Sequence, residues 1–119
     1  MSTVVVGVTV ECNDLDRVAR FWREALEVAT VSAPSSDLRV IEVAGCGRPL
    51  RLTLRRVTSR KFTRNRVRLD LVTRDLDRET ARLIALGAIR TDGTTEEAGR
   101  ATLTDVEGNE FDVLADGFS

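Results

Sequence analysis

The sequence repeats itself at a fixed offset of 61 residues, and this repeat limits the folds that the chain can adopt. The phrase Asp-Leu-Asp-Arg at 14–17 recurs at 75–78, and Val6 and Gly47 match Val67 and Gly108 at the same offset. A half of roughly 55 residues is too short to bury a sufficient core alone. We therefore expect the halves, about residues 3–58 and 65–116, to pair into one domain spanning residues 1–119.

The first half is predicted to begin with a strand and a helix. Valines alternate with other residues from Val4 to Val10, which is the period-2 pattern of a half-buried strand. Asn13 or Asp14 then caps a helix. The apolar residues on one face of that helix are Leu15, Val18, Trp22, Ala25 and Leu26.

The second half follows the same plan. Residues 67–72 form a predicted strand, Asp75 caps the second helix, Leu76, Leu83 and Ile84 form its buried stripe, and Gly87 ends it. Further strands are predicted at residues 38–43, 50–57, 101–104 and 111–114. The predicted fold class is α+β, with two β-α-β-β-β modules paired into one domain.

Composition excludes several classes of function. The chain contains no histidine, which removes the commonest metal ligand and the commonest general base. No apolar run is long enough to span a membrane, and no Lys or Arg precedes Arg17, so neither a membrane span nor a signal peptide is predicted. Two cysteines are too few for a disulfide framework and suit a reducing compartment. We expect a cytoplasmic protein that does not bind membranes.

Charge is unevenly distributed along the chain. Residues 1–42 carry −3, residues 43–69 carry +9 and residues 70–119 carry −7, for a net charge of −1. The central basic block and the acidic C-terminal half predict a homodimer in which opposite charges from two copies meet. Nucleic-acid binding is not predicted, because aromatic side chains that could stack on bases are nearly absent from the basic block.

Three motifs give the sequence a family resemblance. They are the phrase at 14–17 followed by Phe21-Trp22, the phrase Ala-Leu-Gly-Ala at 85–88, and the loop Asp-Val-Glu-Gly-Asn-Glu-Phe at 105–111. Together they resemble the glyoxalase/bleomycin-resistance, or vicinal oxygen chelate, superfamily in its branch of short glyoxalase-like domains, over essentially the whole chain. The loop is the strongest element, because Gly108 can adopt positive φ and Asp105 can hydrogen-bond the backbone of the turn. The family usually has proline where this chain has Val106.

The resemblance implies a cleft formed by the curved sheet of each half. It also implies up to four metal ligands, one on the first and one on the last strand of each half. In this sequence those positions hold Gly7, Arg51, Arg68 and Asp112. Only Asp112 could bind a metal, since glycine has no side chain and a guanidinium has no free lone pair. We therefore predict no metal and no cofactor.

Period 2 places a set of polar side chains on the cleft side, and these are the candidate ligand-binding residues: Thr9, Glu11, Arg51, Thr53, Arg55, Arg68, Asp70 and Asp112. In one interpretation, Arg51 and Arg68 straddle Asp112 and Asp70 in a salt-bridge network that replaces the metal. In the other, one arginine keeps spare donors and binds a carboxylate or phosphate as a bidentate fork. Catalysis by Glu11, Asp70 or Asp112 would need a carboxyl group that holds a proton near neutral pH, which neighbouring arginines oppose. No catalytic residue is assigned.

The sequence therefore favours a small-molecule binding protein of the glyoxalase/bleomycin-resistance type that uses no metal and takes a polar or anionic ligand in an arginine-lined cleft. Few aromatic side chains are present, which makes a flat aromatic ligand less suitable. One alternative is an enzyme of the superfamily, a lyase, epimerase or dioxygenase, with a displaced metal site. Another is a degenerate dimeric interaction module.

Overall fold

The computed structural model describes residues 3–44, 47–60, 65, 67–91 and 99–116. The chain divides into two compact units, Met1–Arg60 (unit 1) and Lys61–Ser119 (unit 2). Each unit has the element order β-α-β-β-β, so the predicted α+β fold with two such modules is confirmed. The assembly of the halves into one domain stays a prediction.

Unit 1 is built around a four-stranded mixed sheet, sheet A. Its elements are β1 (Gly7–Cys12), α1 (Leu15–Ala25), β2 (Ser32–Ser35), β3 (Leu38–Val43) and β4 (Leu50–Arg56). The strand order is β1-β4-β3-β2, with β1 parallel to β4 and the other neighbours antiparallel. Helix α1 packs on β3 and β4.

Unit 2 repeats this arrangement in sheet B. Its elements are β5 (Leu69–Thr73), α2 (Leu76–Ala85), β6 (Ile89–Arg90), β7 (Arg100–Thr104) and β8 (Glu110–Ala115). The strand order is β5-β8-β7-β6, with β5 parallel to β8. Helix α2 packs on β7 and β8.

The predicted helix caps are present in both units. The Asp14 carboxylate accepts a hydrogen bond from the backbone N–H of Arg17 at 3.2 Å, and Asp75 accepts one from Arg78 at 3.1 Å. Each cap satisfies an N–H group that has no partner within its helix. Gly87 ends the α2 region with a φ of 119°, as its position in the sequence predicts.

The two helices bury very different surfaces. Helix α1 buries six apolar or aromatic side chains, namely Leu15, Val18, Ala19, Phe21, Trp22 and Ala25, over Ile41, Leu52 and Leu54 of sheet A. Helix α2 buries only Thr80 and Leu83. The prediction that Ile84 is buried is wrong, because Ile84 is 44% exposed. One residue is about 100° of helix rotation, so the stripe set by Thr80 and Leu83 leaves Ile84 at its margin.

Two short strands are not predicted from the sequence. Strand β2 has the sequence Ser-Ala-Pro-Ser and is fully exposed, and β6 contains only Ile89 and Arg90. Both are edge strands without an apolar face, so no period-2 pattern marks them. Strand β1 begins at Gly7 rather than Val4, and Val4 to Val6 are exposed. Within the described ranges, no helix has the length and apolar character needed to cross a membrane.

Candidate functional site

In each unit the helix packs on one face of the sheet, and we call the opposite face, which has no helix of the same unit among the described residues, the helix-free face. On β4, Leu52 and Leu54 are buried under α1, and Arg51, Thr53 and Arg55 alternate with them. The β1 residues paired with these three are Gly7, Thr9 and Glu11. Because side chains alternate along a strand, the sequence-predicted residues of unit 1 share the helix-free face of sheet A.

The charges on the helix-free face of sheet A lie beside one another without ion pairing. Glu11 is in register with Arg55, and Glu42 is in register with Arg51. Neither arginine side chain makes a hydrogen bond or ion pair within the residues that the structure describes. Arg51, Arg55 and Glu11 are exposed, so water solvates them.

Gly7 is required by the close approach of β1 to β4. A Cβ added at this position would overlap the backbone oxygen of Arg51, so a larger residue would force the strands apart. The first of the four implied metal-ligand positions is therefore closed by the backbone itself. A metal-binding side chain cannot be accommodated there without a shift of the sheet.

Asp112 is the centre of the helix-free face of sheet B. It lies on β8, and its side chain is 3% exposed. The hydroxyl of Thr102 donates to Oδ1 of Asp112 at 2.5 Å, and Nη1 of Arg100 donates to Oδ2 at 2.7 Å. This carboxylate is therefore compensated by a cation and a hydroxyl from the neighbouring strand β7, as a buried charge must be.

Arg68 reaches the same carboxylate from the other side. Its Nη2 lies 3.6 Å from Oδ2 of Asp112, and its side chain is 37% exposed. Arg68 makes no hydrogen bond among the described residues. The predicted ion pair between Arg68 and Asp112 is thus present, but it is long, and Arg100 makes the shorter contact.

The pairing of β5 with β8 differs from that of β1 with β4 by two residues. Val8 pairs with Leu52, whereas the equivalent Leu69 pairs with Phe111 rather than with Val113. A shift of two residues keeps every side chain on its face but changes its neighbours. As a result Asp70, which is exposed, lies directly beside Asp112.

The loop before β8 is held as its sequence predicts. Oδ1 of Asp105 accepts hydrogen bonds from the backbone N–H groups of Glu107 at 2.9 Å and Asn109 at 3.0 Å. Gly108 has a φ of 89°. At the start of β8, Glu110 and Asn65 exchange two hydrogen bonds, of 3.0 and 3.2 Å, which tie the segment before Arg68 to this strand. The loop therefore sets where β8 starts, and the tie holds the chain beside it.

Sequence reasoning did not identify Arg100 and Thr102. Polar residues alternate with Ala101 and Leu103 along β7, which is a usable period-2 signal. The predicted strand began at Ala101 and so left Arg100 outside it. Their contact with Asp112 depends on the register of β7 with β8, in which Thr102 pairs with Asp112.

The residues at the implied metal positions do not fit a metal ion. Gly7 has no side chain, Arg51 and Arg68 have no free lone pair, and both oxygens of Asp112 already accept strong hydrogen bonds. Among the described residues, no group of three or more Cys, Asp or Glu side chains is arranged to hold a metal.

A separate cavity of about 370 Å³ lies in unit 1 at the start of α1. Two arginines line it, but both are engaged in ion pairs: Arg39 with Asp16 at 3.1 Å, and Arg56 with Asp37 at 2.7 Å. These pairs tie β3 to α1 and β4 to the β2–β3 turn. Both arginines of the cavity are therefore engaged by carboxylates at hydrogen-bond distance, unlike Arg68.

Comparison with known proteins gives the class of the molecule. The family model for the glyoxalase-like domain matches residues 7–114, which include both modules and the 105–111 loop. The chain belongs to the glyoxalase-like domain family, within the vicinal oxygen chelate superfamily. A comparison with curated proteins found no match.

Solved structures share the fold at low sequence identity. The fosfomycin resistance protein FosX from Listeria monocytogenes is 15% identical with a TM-score of 0.78, covering 99% of this chain and 94% of its own. A glyoxalase-related enzyme from Fulvimarina pelagi is 18% identical with a TM-score of 0.72, covering 97% and 89%. TnmS3, an antibiotic binding protein from Streptomyces sp. CB03234, is 23% identical with a TM-score of 0.64, covering 96% of each chain. At these identities the likeness establishes the fold alone.

Proposed function

We propose that this protein binds a small anionic or polar molecule without a metal, and that Arg68 on the helix-free face of sheet B is the principal contact. The observation that carries the proposal is the state of the Arg68 guanidinium. It is over one-third exposed, is held by a single 3.6 Å ion pair, and makes no hydrogen bond in the described part of the chain. Its donors are available to a ligand.

The hydrogen bonds that Asp112 accepts support an anionic ligand at Arg68. Two guanidinium groups converge on Oδ2 of one carboxylate, and Oδ1 is taken by Thr102. Because Asp112 already accepts short hydrogen bonds from Arg100 and Thr102, the Arg68 guanidinium keeps N–H donors for the oxygens of an anionic ligand. A guanidinium presents parallel N–H donors that match a carboxylate or a phosphate, so the ligand carries one of these groups.

The remaining sequence-predicted residues lie on the helix-free face of their own unit. Asp70 lies beside Asp112 and limits how much negative charge the site accepts. On sheet A, a polar set forms a separate candidate contact surface on the helix-free face: Thr9, Glu11, Arg51, Thr53 and Arg55. We assign a catalytic role to none of them.

The similar proteins are consistent with binding of a small molecule. One FosX structure contains Mn(II) and 1S,2S-dihydroxypropylphosphonic acid, and TnmS3 binds an antibiotic. The present chain differs at the metal, because its described residues do not assemble a metal-binding set. A binding protein therefore fits the residues better than the alternative of a lyase, epimerase or dioxygenase with a displaced metal site.

Isothermal titration calorimetry on chelator-treated protein tests the proposal. Acetate, inorganic phosphate and methylphosphonate are the probes, and glycerol is a neutral control. We expect at least one anion to bind, Arg68→Met to weaken it at least tenfold, and Arg74→Met to leave it unchanged. Arg74 is the matched control, because it is exposed and has no side-chain partner in the described ranges.

Three results contradict the proposal. They are an absence of anion binding by the wild-type protein, equal binding by Arg68→Met, and binding that appears only when a divalent metal is restored. Elemental analysis of the purified protein gives an independent check, since about one metal ion per chain that is lost in Asp112→Ala is incompatible with our assignment.

We also propose that the protein is a cytoplasmic homodimer. The basic block at 43–69 and the acidic residues at 70–119 support association through opposite charges, and a content of two cysteines is compatible with a reducing compartment. Exposed ion pairs contribute only about 0 to 1 kcal/mol each, so such a dimer should weaken as salt rises. Sedimentation analysis should find a dimer at low salt, and a monomer at low salt and high protein concentration contradicts this assembly.

A further inference from the structure

An apolar patch adjoins the arginines on the helix-free face of sheet B. It consists of Val72 on β5 and Leu114 on β8, which are register partners in the parallel pair. Val72 is 67% exposed, and Leu114 is partly exposed. Unlike the exposed Ile84 on α2, these two side chains share a face with the proposed anion contact.

The order of residues along β5 defines a polar end and an apolar end. Arg68, Asp70 and Val72 follow one another at two-residue intervals, so they point to the same side, about 7 Å apart at each step. Arg100 is in register with Leu114, but its guanidinium turns to Asp112 at 2.7 Å. The charge of Arg100 therefore lies at the polar end, beside Asp112. The side chains of Val72 and Leu114 form an aliphatic surface next to it.

We infer that the ligand is an amphiphilic oxyanion, whose charged group binds at Arg68 and whose aliphatic segment covers Val72 and Leu114. This inference rests on the proposed function, because it takes the anion contact as given and assigns the rest of the ligand. A purely hydrophilic anion would leave the patch in water. Each methylene placed against the patch strengthens binding by up to about fourfold, the equivalent of about 0.8 kcal/mol per buried CH₂.

Two homologous series of ligands test the inference by calorimetry. Straight-chain alkylphosphonates and alkylcarboxylates, from methyl to hexyl, share the aliphatic part and differ in the charged group, so they also identify the preferred oxyanion. With the wild-type protein we expect little change for the shortest chains, which lie beside Asp70, and then a rise in affinity with each methylene that reaches Val72 and Leu114. Val72→Thr, which keeps the shape and the β-branching, should flatten that rise to less than twofold per methylene and leave the affinity for the methyl compound unchanged.

Ile84→Thr is the matched control, because it removes an exposed aliphatic side chain on α2 and should leave the dependence on chain length intact. Equal affinity for all chain lengths, with binding still dependent on Arg68, overturns this inference and leaves the proposed function standing. A chain-length dependence that persists in Val72→Thr also overturns it. If no member of either series binds, or if binding is insensitive to Arg68→Met, the proposed function itself has failed.

Discussion

Units 1 and 2 have the same element order and the same strand order, yet they place their polar and apolar groups in opposite ways. In unit 1 the helix carries the larger apolar surface, with Trp22 and Phe21 in edge-to-face contact at 5.2 Å, and the charges on the helix-free face are exposed. In unit 2 the helix buries only Leu83 and Thr80, and the helix-free face contains the buried carboxylate of Asp112.

This difference shows which features the repeat determines and which it leaves open. Both units keep an aspartate cap, a parallel pair of first and last strands, and the alternation that separates the two faces of the sheet. Position 7 must be glycine because two strands meet closely there, whereas the equivalent Arg68 is free to project from the sheet. The equivalent position therefore has no room for a side chain in unit 1 and holds an exposed arginine side chain in unit 2.

Asp112→Ala should have the largest effect on stability. It removes the buried carboxylate that accepts hydrogen bonds from the Arg100 guanidinium and the Thr102 hydroxyl, at a cost of about 3 kcal/mol. The equivalent change in unit 1 by the 61-residue offset, Arg51→Ala, removes an exposed side chain and should cost less than about 0.5 kcal/mol. Urea denaturation measures both, and equal losses would remove the distinction between the units.

Gly7→Ala should be the next largest. The added methyl overlaps the backbone oxygen of Arg51, and relief of that overlap should cost about 2 kcal/mol of unfolding free energy. Thr9→Ala, one step along the same face, is the control and should change stability by about 0.5 kcal/mol or less. If Gly7→Ala leaves the free energy of unfolding unchanged, the two strands do not approach as closely as we describe.

Thr80→Val should stabilise the protein. The Thr80 hydroxyl is buried and has no hydrogen-bond partner among the described residues, so it carries a desolvation cost without compensation. Valine has the same shape and no polar atom, and we expect a gain of about 1 kcal/mol. Thermal unfolding provides the measurement. A loss of stability would show that the hydroxyl is satisfied and that α2 packs differently from our description.

The smallest predicted effect is a pH dependence that differs between the helices. The hydrogen bond from Arg82, with its positive charge, lowers the pKa of Glu79 below 4.5, although burial opposes the shift. A lowered pKa adds stability that is present above the unfolded value and is lost as the pH falls through the folded value. Arg82→Met should therefore remove less than about 1 kcal/mol at pH 6 and nothing once the pH is well below 4.

Arg20→Met on α1 is the control for that measurement. Arg20 and Glu24 form an i,i+4 pair in which the arginine side chain is 79% exposed, so solvent screens it. We expect no measurable change between pH 6 and pH 3 on replacing Arg20. A larger pH-dependent loss for Arg20→Met than for Arg82→Met would reverse this comparison.

Local patterns account for the parts of the fold that the sequence predicts. Asp14 and Asp75 cap helices through bonds to residues three positions away, and the alternation of Leu52 and Leu54 with Arg51 and Thr53 is enough to assign faces. These features need no knowledge of tertiary structure. The 105–111 loop is predictable for the same reason, because its hydrogen bonds join residues within one turn.

The rest depends on contacts between strands. The two-residue difference in register between the units leaves the apolar pattern unchanged, so no periodicity reveals that Asp70 lies beside Asp112. The role of Arg100 follows from its antiparallel neighbours on β8, which only the register supplies. The error at Ile84 also concerns tertiary contacts, because the buried stripe of α2 is narrow, contains Thr80 and Leu83, and leaves Ile84 at its margin.

We propose that the two arginines around Asp112 have different roles, in which Arg100 stabilises the carboxylate and Arg68 is available to a ligand. The most direct measurement is the free energy of unfolding of Arg68→Met and Arg100→Met without ligand. Arg100 donates the 2.7 Å hydrogen bond to Asp112, so Arg100→Met should lower the free energy of unfolding by about 2 to 3 kcal/mol. The Arg68 guanidinium lies 3.6 Å from the carboxylate and its side chain is over one-third exposed, so Arg68→Met should lower the free energy of unfolding by less than about 1 kcal/mol. Equal losses, or a larger loss for Arg68→Met, would show that Arg68 is a structural member of the network and would contradict the assignment of its guanidinium to ligand binding.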